Sequence, residues 1–346
     1  MRFAVGYPVI EDDDDPFVGI VDEFRDHIAE VYFAWPGDPS GRSPFGVASG
    51  SVSPAAQEKL ESDLRAFRSF GIRLDLLLNA NCYGPEAASA QLADHAAGIV
   101  ARLISETGLD VVTTTSPFLA AALKPRFPEL KLRASVNLRL GTAQAMGYVA
   151  DVFDSFYLQR DYNRDPKRIA EVSAWCRRNG KELCLLANSG CLRFCSGQTF
   201  HDNLVAHEGE MTQPAPRDSL VCRRFLADPA HWVALMQATW IRPEDLRCYE
   251  KWFSLAKLAT RMHHNPRRVI QAYALGRFPG NLLDLLEPGY QDILGGHILD
   301  NTRFPADWLE RVNSCCGRCE ECSYCEEVLR DVLTRIEGAW GALPRG

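Results

Sequence analysis

The sequence predicts an α/β protein built as a (β/α)8 TIM-like barrel, with a doubly wound open sheet as the competing architecture. Three observations carry this reading. Short runs rich in Val, Leu, Ile and Phe alternate with helix-length amphipathic stretches from the first residue, the pattern of parallel strands joined by right-handed crossovers. Eight or nine such units fit within the 346 residues. Polar residues gather where the strand runs end, as they do at the working face of a barrel.

Taken in order, the strand runs are 2-8, 30-35, 72-79, 110-115, 132-138, 155-160, 182-188, 233-240 and 253-259. Helical patterns lie between them, among them Ser53 to Phe70, Pro85 to Thr107 and Pro166 to Asn179, the last closed by Gly180 in the C-cap position. The strand ends carry Tyr7, Asn79, Asn81, Cys82, Thr115, Ser116, Asn137, Arg139, Arg160, Asp161, Asn188, Arg242, Glu244, Lys257 and Arg261. From these, Tyr7, Asn81, Asn137, Arg139, Arg160, Arg242, Glu244, Lys257 and Arg261 are candidate substrate-binding residues, joined by His201 beside Asp202. The plainer alternative is that a strand end simply meets water, and that the cations pair with Asp161, Glu244 or Asp245.

The rhythm breaks after Asn188, where 191-230 reads as a long insertion, and again near residue 300, where a short Cys-rich tail begins. The expected organisation is a barrel over 1-300 with the insertion 191-230, and a metal-binding tail over 301-346. The acidic run Glu11 to Asp15 reads as a solvated loop. Net charge is −7, so there is no global basic field to hold nucleic acid by counterion release, and any RNA contact would be local. No apolar run approaches the ~20 residues needed to cross a bilayer, and Met1 to Val5 reads as a strand rather than a signal peptide. The expectation is a cytoplasmic protein with no membrane partner.

Twelve cysteines are too many for inert filler in a reducing compartment, which turns the expectation to metal or redox chemistry. In the tail, Cys316, Cys319, Cys322 and Cys325 are each separated by two residues, with Cys315 just before them. Thiolates at that spacing converge on one centre, as in 4Fe-4S loops and zinc knuckles. A second set, Cys191, Cys195 and Cys222, follows a strand end and suits a 4Fe-4S cluster with a fourth ligand from Cys248, Cys82 or a substrate. The C-x3-C-x2-C spacing of radical S-adenosylmethionine enzymes is absent from this second set, because Gln198 stands where its third cysteine would be. Cys176 and Cys184 read as buried core thiols.

The stretch Ala187-Asn188-Ser189-Gly190-Cys191, with Ser196-Gly197-Gln198 beyond it, resembles the signature of the collagenase-like peptidase family. Pro243-Glu244-Asp245-Leu246, Ala256-Lys257-Leu258-Ala259-Thr260-Arg261 and Val269-Ile270-Gln271-Ala272-Tyr273 resemble its second block. The resemblance implies a barrel with a 4Fe-4S cluster on four cysteines, in proteins serving oxygen-independent hydroxylation of tRNA or ubiquinone precursors, some of them named peptidases. It implies Cys191 as first ligand, Cys222 with Arg223 as the Cys-Arg ligand, and Cys248 near the last. Two departures stand out. Thr199 occupies the place of the second cysteine, with Cys195 ahead of it, and Arg247 displaces Cys248 by one residue.

Three functions compete. The leading expectation is an oxidoreductase or hydroxylase with one or two 4Fe-4S clusters, acting on a small molecule or biosynthetic precursor oriented by Arg139, Arg160, Arg242, Lys257 and Arg261. Zinc is the alternative metal at the tail. Proteolysis is the second reading, against which stands the lack of a His-Glu-x-x-His helix or a Gly-x-Ser-x-Gly turn. The third is a non-catalytic electron-transfer or scaffold subunit working with a partner protein.

Overall fold

The computed structural model describes residues 1–8, 14–36, 54–207 and 217–336, and in it eight parallel strands close into a barrel in sequence order. They are β1 (Arg2–Gly6), β2 (Ile28–Ala34), β3 (Arg73–Leu78), β4 (Val111–Thr114), β5 (Lys131–Ala134), β6 (Ser155–Tyr157), β7 (Glu182–Leu186) and β8 (Leu255–Leu258). Closure is made by β1, which pairs with both β2 and β8. The outer layer begins with α1 (Phe17–Glu23), α2 (Pro54–Ser69), α3 (Ala90–Thr107), α4 (Pro117–Leu123), α5 (Ala143–Gly147) and α6 (Pro166–Arg178). Helix α3 shows why the boundaries fall where they do. The Ser89 side chain accepts from Leu92 N–H at its start, and Gly108 at φ 74° ends it in the left-handed conformation that favours glycine.

Between β7 and β8 the chain makes α7 (Gln198–Ala206), α8 (Val221–Leu226) and α9 (Val233–Gln237). Helix α9 corrects the strand expected over 233-240. Its apolar run buries Leu235 and Met236 against the core, and periodicity alone does not separate a short buried helix from a buried strand. After β8 come α10 (Pro266–Leu275), β9 (His297–Leu299), α11 (Trp308–Asn313), α12 (Tyr324–Val332) and β10 (Leu333–Arg335), with β9 and β10 antiparallel. This last pair is absent from the sequence reading. Part of the acidic run (11–13), part of the insertion (208–216) and the end of the tail (337–346) lie outside the described residues.

Outward residues of the strands, such as Phe3, Val5, Leu74, Leu76 and Leu132, pack under the helices in the main core. Inward residues form a separate, polar layer. Arg133 on β5 donates to both carboxylate oxygens of Glu30 on β2, and its Nε reaches Ser155 Oγ at 3.0 Å. Strands 2 and 5 are not neighbours, so this contact crosses the lumen. Asp75 on β3 joins it, 3.3 Å from Arg133 and 2.8 Å from Thr113 Oγ1. Among the described residues, no helix is long and apolar enough to cross a membrane.

Candidate functional site

Toward the C-terminal end of the barrel the polar layer continues to Lys257 of β8, which is itself buried. Its Nζ lies 3.8 Å from the centre of the Tyr32 ring and 5.4 Å from that of Tyr157. Tyr32 fits there because β1 presents Gly6, where a Cβ would lie 2.6 Å from the Tyr32 ring. The Tyr32 hydroxyl donates to Leu258 O at 2.8 Å. Burial pushes the Lys257 amine down to about 8, helped by the charges of Arg261 and Arg133 and opposed by Asp75 and Glu30. Burial and Glu30 push the Asp75 carboxyl up to about 7. Burial would raise Glu30 as well, but the Arg133 guanidinium holds it below its usual range. Two carboxyls in one lumen thus take opposite shifts, which is how neighbouring acids come to play different parts.

A second group forms on the loop after β7. Asn188 accepts Ala259 N–H at 2.6 Å and donates to Leu285 O at 2.8 Å, tying β7, the exit of β8 and the segment after α10 together. Gly190 N–H then donates to Glu287 O at 3.1 Å, and a Cβ on Gly190 would stand 2.0 Å from Pro288 O. Only glycine permits that approach, and it sets where Cys191 begins. Next, Phe194 N–H donates to Asp161 Oδ1 at 2.6 Å and Arg193 Nε to Asp161 O at 3.0 Å, fastening the loop to the exit of β6. At Gly197 a Cβ would meet Val221 at 2.8 Å, so this glycine lets α8 close on the start of α7. Cys195 and Cys222 flank that contact.

The three thiols share one neighbour, Tyr290, buried and at φ 60°. Tyr290 interacts with Cys191, Cys195 and Cys222 and is hydrogen-bonded to Cys222; burial and the thiols raise its hydroxyl far above the usual range. Burial works against the Arg160 charge, but Cys191, Asp202 and Asp161 hold it protonated. Asp202 is raised by burial, with Arg160 and His201 opposing.

The other sequence candidates scatter. Asn81 donates to Asn137 O at 3.4 Å, and Arg139 Nη1 to Thr199 Oγ1 at 3.1 Å, both on the rim. Tyr7 turns outward, where its hydroxyl meets Asp63 of α2 at 2.7 Å. Arg242 pairs with Asp245 at 2.9 Å, and Glu244 accepts from Phe278 N–H and Asn301. These last two line a cleft of about 630 Å³ with Arg277 and Phe278, past the C-terminal end of α10 and away from the thiols. Cys248 does not join the set either. It is exposed and lies two residues before Glu250, whose carboxylate pairs with the amino terminus of Met1 at the opposite end of the barrel. Cys184 is buried as expected, but faces the lumen beside Arg133.

The sequence reading missed Tyr32, Asp75, Arg133, Tyr157 and Tyr290. For Glu30, Asp75 and Arg133 a signal existed, since each is a charge flanked on both sides by apolar residues within its strand. Tyr290 offered none. Among the described residues, no group of three or more His, Cys, Asp or Glu side chains is arranged to hold a metal ion as it stands.

Fold and site together define a closed (β/α)8 barrel with a buried lysine and a thiol-bearing loop at its mouth. An uncharacterized protease of Methanocaldococcus jannaschii is 25% identical to this chain over 307 residues, 88% of each sequence. The solved structure of a U32 peptidase shares the fold, with TM-score 0.51 at 14% identity over 74% of this chain and 92% of that one. No family model matches the chain. The similarity to the archaeal protein supports the collagenase-like peptidase resemblance, and favours its peptidase side over the iron-sulfur hydroxylation side.

Proposed function

We propose that the chain is a barrel enzyme of the collagenase-like peptidase kind, hydrolysing peptide bonds at the C-terminal mouth. The observation that carries this reading is the match to a relative named a protease, across 88% of both sequences. The mouth supports it chemically. A lysine amine pushed down to about 8 is neutral in an appreciable fraction near neutral pH and can act as a general base. Lys257 would take a proton from water as the water oxygen attacks the peptide carbonyl. Arg261, which interacts with both Tyr32 and Lys257, would stabilise the oxyanion. As the carbon–nitrogen bond breaks, the proton passes to the leaving amine.

A second reading rests on Cys191, Cys195 and Cys222 around Tyr290. Three thiols facing one neighbour fit an iron-sulfur centre in donor kind and number, with one iron position left open. Such a centre would supply electron transfer or an open iron site for oxygen-independent hydroxylation, while Lys257 and Arg261 orient an anionic small molecule or biosynthetic precursor.

One experiment separates them. The protein is purified without oxygen, assayed for iron and sulfide, and tested on fluorogenic gelatin and casein before and after iron is removed. Hydrolysis that survives iron removal and disappears in Lys257→Met supports the peptidase. No hydrolysis in either form overturns it, and stoichiometric iron and sulfide in that inactive protein would favour the second reading.

A further inference from the structure

The tail cysteines sit in a loop whose two ends are clamped together. Trp308 of α11 stacks on Trp240 at 5.7 Å and 15°, and Tyr324 at the start of α12 stacks on Trp308 at 6.1 Å and 20°. Arg311 lies 4.7 Å from the Tyr324 ring, and the Tyr324 hydroxyl meets Asp307 at 3.2 Å. The segment between these helices therefore closes on itself.

Inside it, Gly317 at φ 75° turns the chain so that its N–H donates to Cys315 Sγ at 3.3 Å. A second tight turn, Cys319–Glu321, has Cys322 N–H directed at Cys319 O. The Gly317 N–H aimed at the Cys315 sulfur is the kind of contact that supports a thiolate ligand, and the second turn sets the spacing of Cys319 and Cys322. Half-buried Cys325 interacts with Cys315, Cys319 and Cys322, and Cys319 with Cys315 and Cys322. Cys316 is fully exposed and engages the backbone and side chain of Arg318. Two cations interact with these thiols: Arg164 with Cys325, and Arg193, from the Cys191–Cys195 loop, with Cys319.

We propose that Cys315, Cys319, Cys322 and Cys325 form a four-thiolate metal site, with Cys316 outside it. The spacing is then C-x3-C-x2-C-x2-C rather than the four evenly spaced cysteines from Cys316 onward. Loading releases four protons and forms four metal–sulfur bonds. The excess negative charge falls beside Arg164 and Arg193, and exposed Cys315, Cys319 and Cys322 close on the ion at half-buried Cys325 by side-chain rotation. Four thiolates suit zinc or an iron-sulfur cluster alike. The site is independent of the activity proposed for the barrel mouth.

The test measures zinc, iron and acid-labile sulfide per full-length chain, purified without oxygen, in the wild type, C315A, C316A, C322A and the triple variant C191A/C195A/C222A. The expected result is that C316A and the triple variant keep one tail equivalent, as zinc or as cluster iron with sulfide, and that C315A and C322A lose it. Cobalt titration of the triple variant should saturate at one ion per chain with intense thiolate-to-metal absorption, a readout that does not depend on the alanine variants folding. Retention of tail metal in C315A, its loss in C316A, or no cobalt bound by the triple variant would each overturn the assignment. Loss of mouth metal alone would bear on the second reading of the mouth and leave this site standing.

Discussion

Lys257 on β8 holds its ammonium 3.8 Å from the centre of the Tyr32 ring on β2, across a β1 that offers only Ala4 and Gly6 to the lumen. The lysine is thereby kept dry beside an aromatic face, and its proton is held less tightly than in the unfolded chain. Below about pH 8 both states are protonated and the native state carries the full burial penalty. Between about 8 and the ordinary lysine value of 10.5 the unfolded chain binds the extra proton, so stability rises with pH. Urea unfolding at pH 7.5 and 9.5 should show that rise in the wild type and its loss in Lys257→Met. Equal slopes in the two proteins would show that Lys257 titrates normally.

The buried pair Glu30 and Arg133 is predicted to be strongly asymmetric in its response to mutation. Both side chains are fully buried, so Arg133→Leu leaves the Glu30 carboxylate with only Arg73, 3.5 Å away at the edge, and should destabilise by about 3 kcal/mol. The double variant Glu30→Leu with Arg133→Leu should recover much of that loss. Additive losses in the double-mutant cycle would mean that the two groups do not act as a pair.

Gly190→Ala should disrupt the mouth. Its Cβ would be placed 2.0 Å from the Pro288 carbonyl, backbone that cannot rotate aside, and overpacking of this kind costs about 1–3 kcal/mol. Denaturant titration gives the loss. Thiol labelling gives the place, with Cys191 and Cys222 reacting faster than in the wild type, and unchanged labelling would remove Gly190 from control of the loop.

If the mouth carries iron, the thiols should divide by their end of the barrel. Cys222→Ser, in contact with Tyr290, should lose the mouth iron, whereas Cys248→Ser should keep it. Iron analysis of the two variants decides this, and loss in Cys248→Ser would require the segment before β8 to reach the mouth.

Much of the architecture was legible in the sequence because it is written in local periods. Alternating apolar runs and amphipathic stretches reflect one strand or helix at a time and need no distant information. The run 233-240 failed for the same reason, since a short apolar stretch has no period long enough to choose between helix and strand.

The candidate site was legible only in kind. Residue types and spacing singled out Lys257, Arg261, Cys191, Cys195 and Cys222. They could not say that Cys248 lies two residues from the Glu250 that pairs with Met1 at the far end of the barrel, or that Tyr7 turns toward Asp63. Nor could they bring Tyr290 to the thiols or Arg133 across the lumen to Glu30. A sequence determines its own local geometry through propensity and patterning, which reach only a few residues. Which side chains share a space, and so which pKa values shift, is decided by barrel closure and by which loops fold back on its mouth, contacts made between residues dozens of positions apart in the chain.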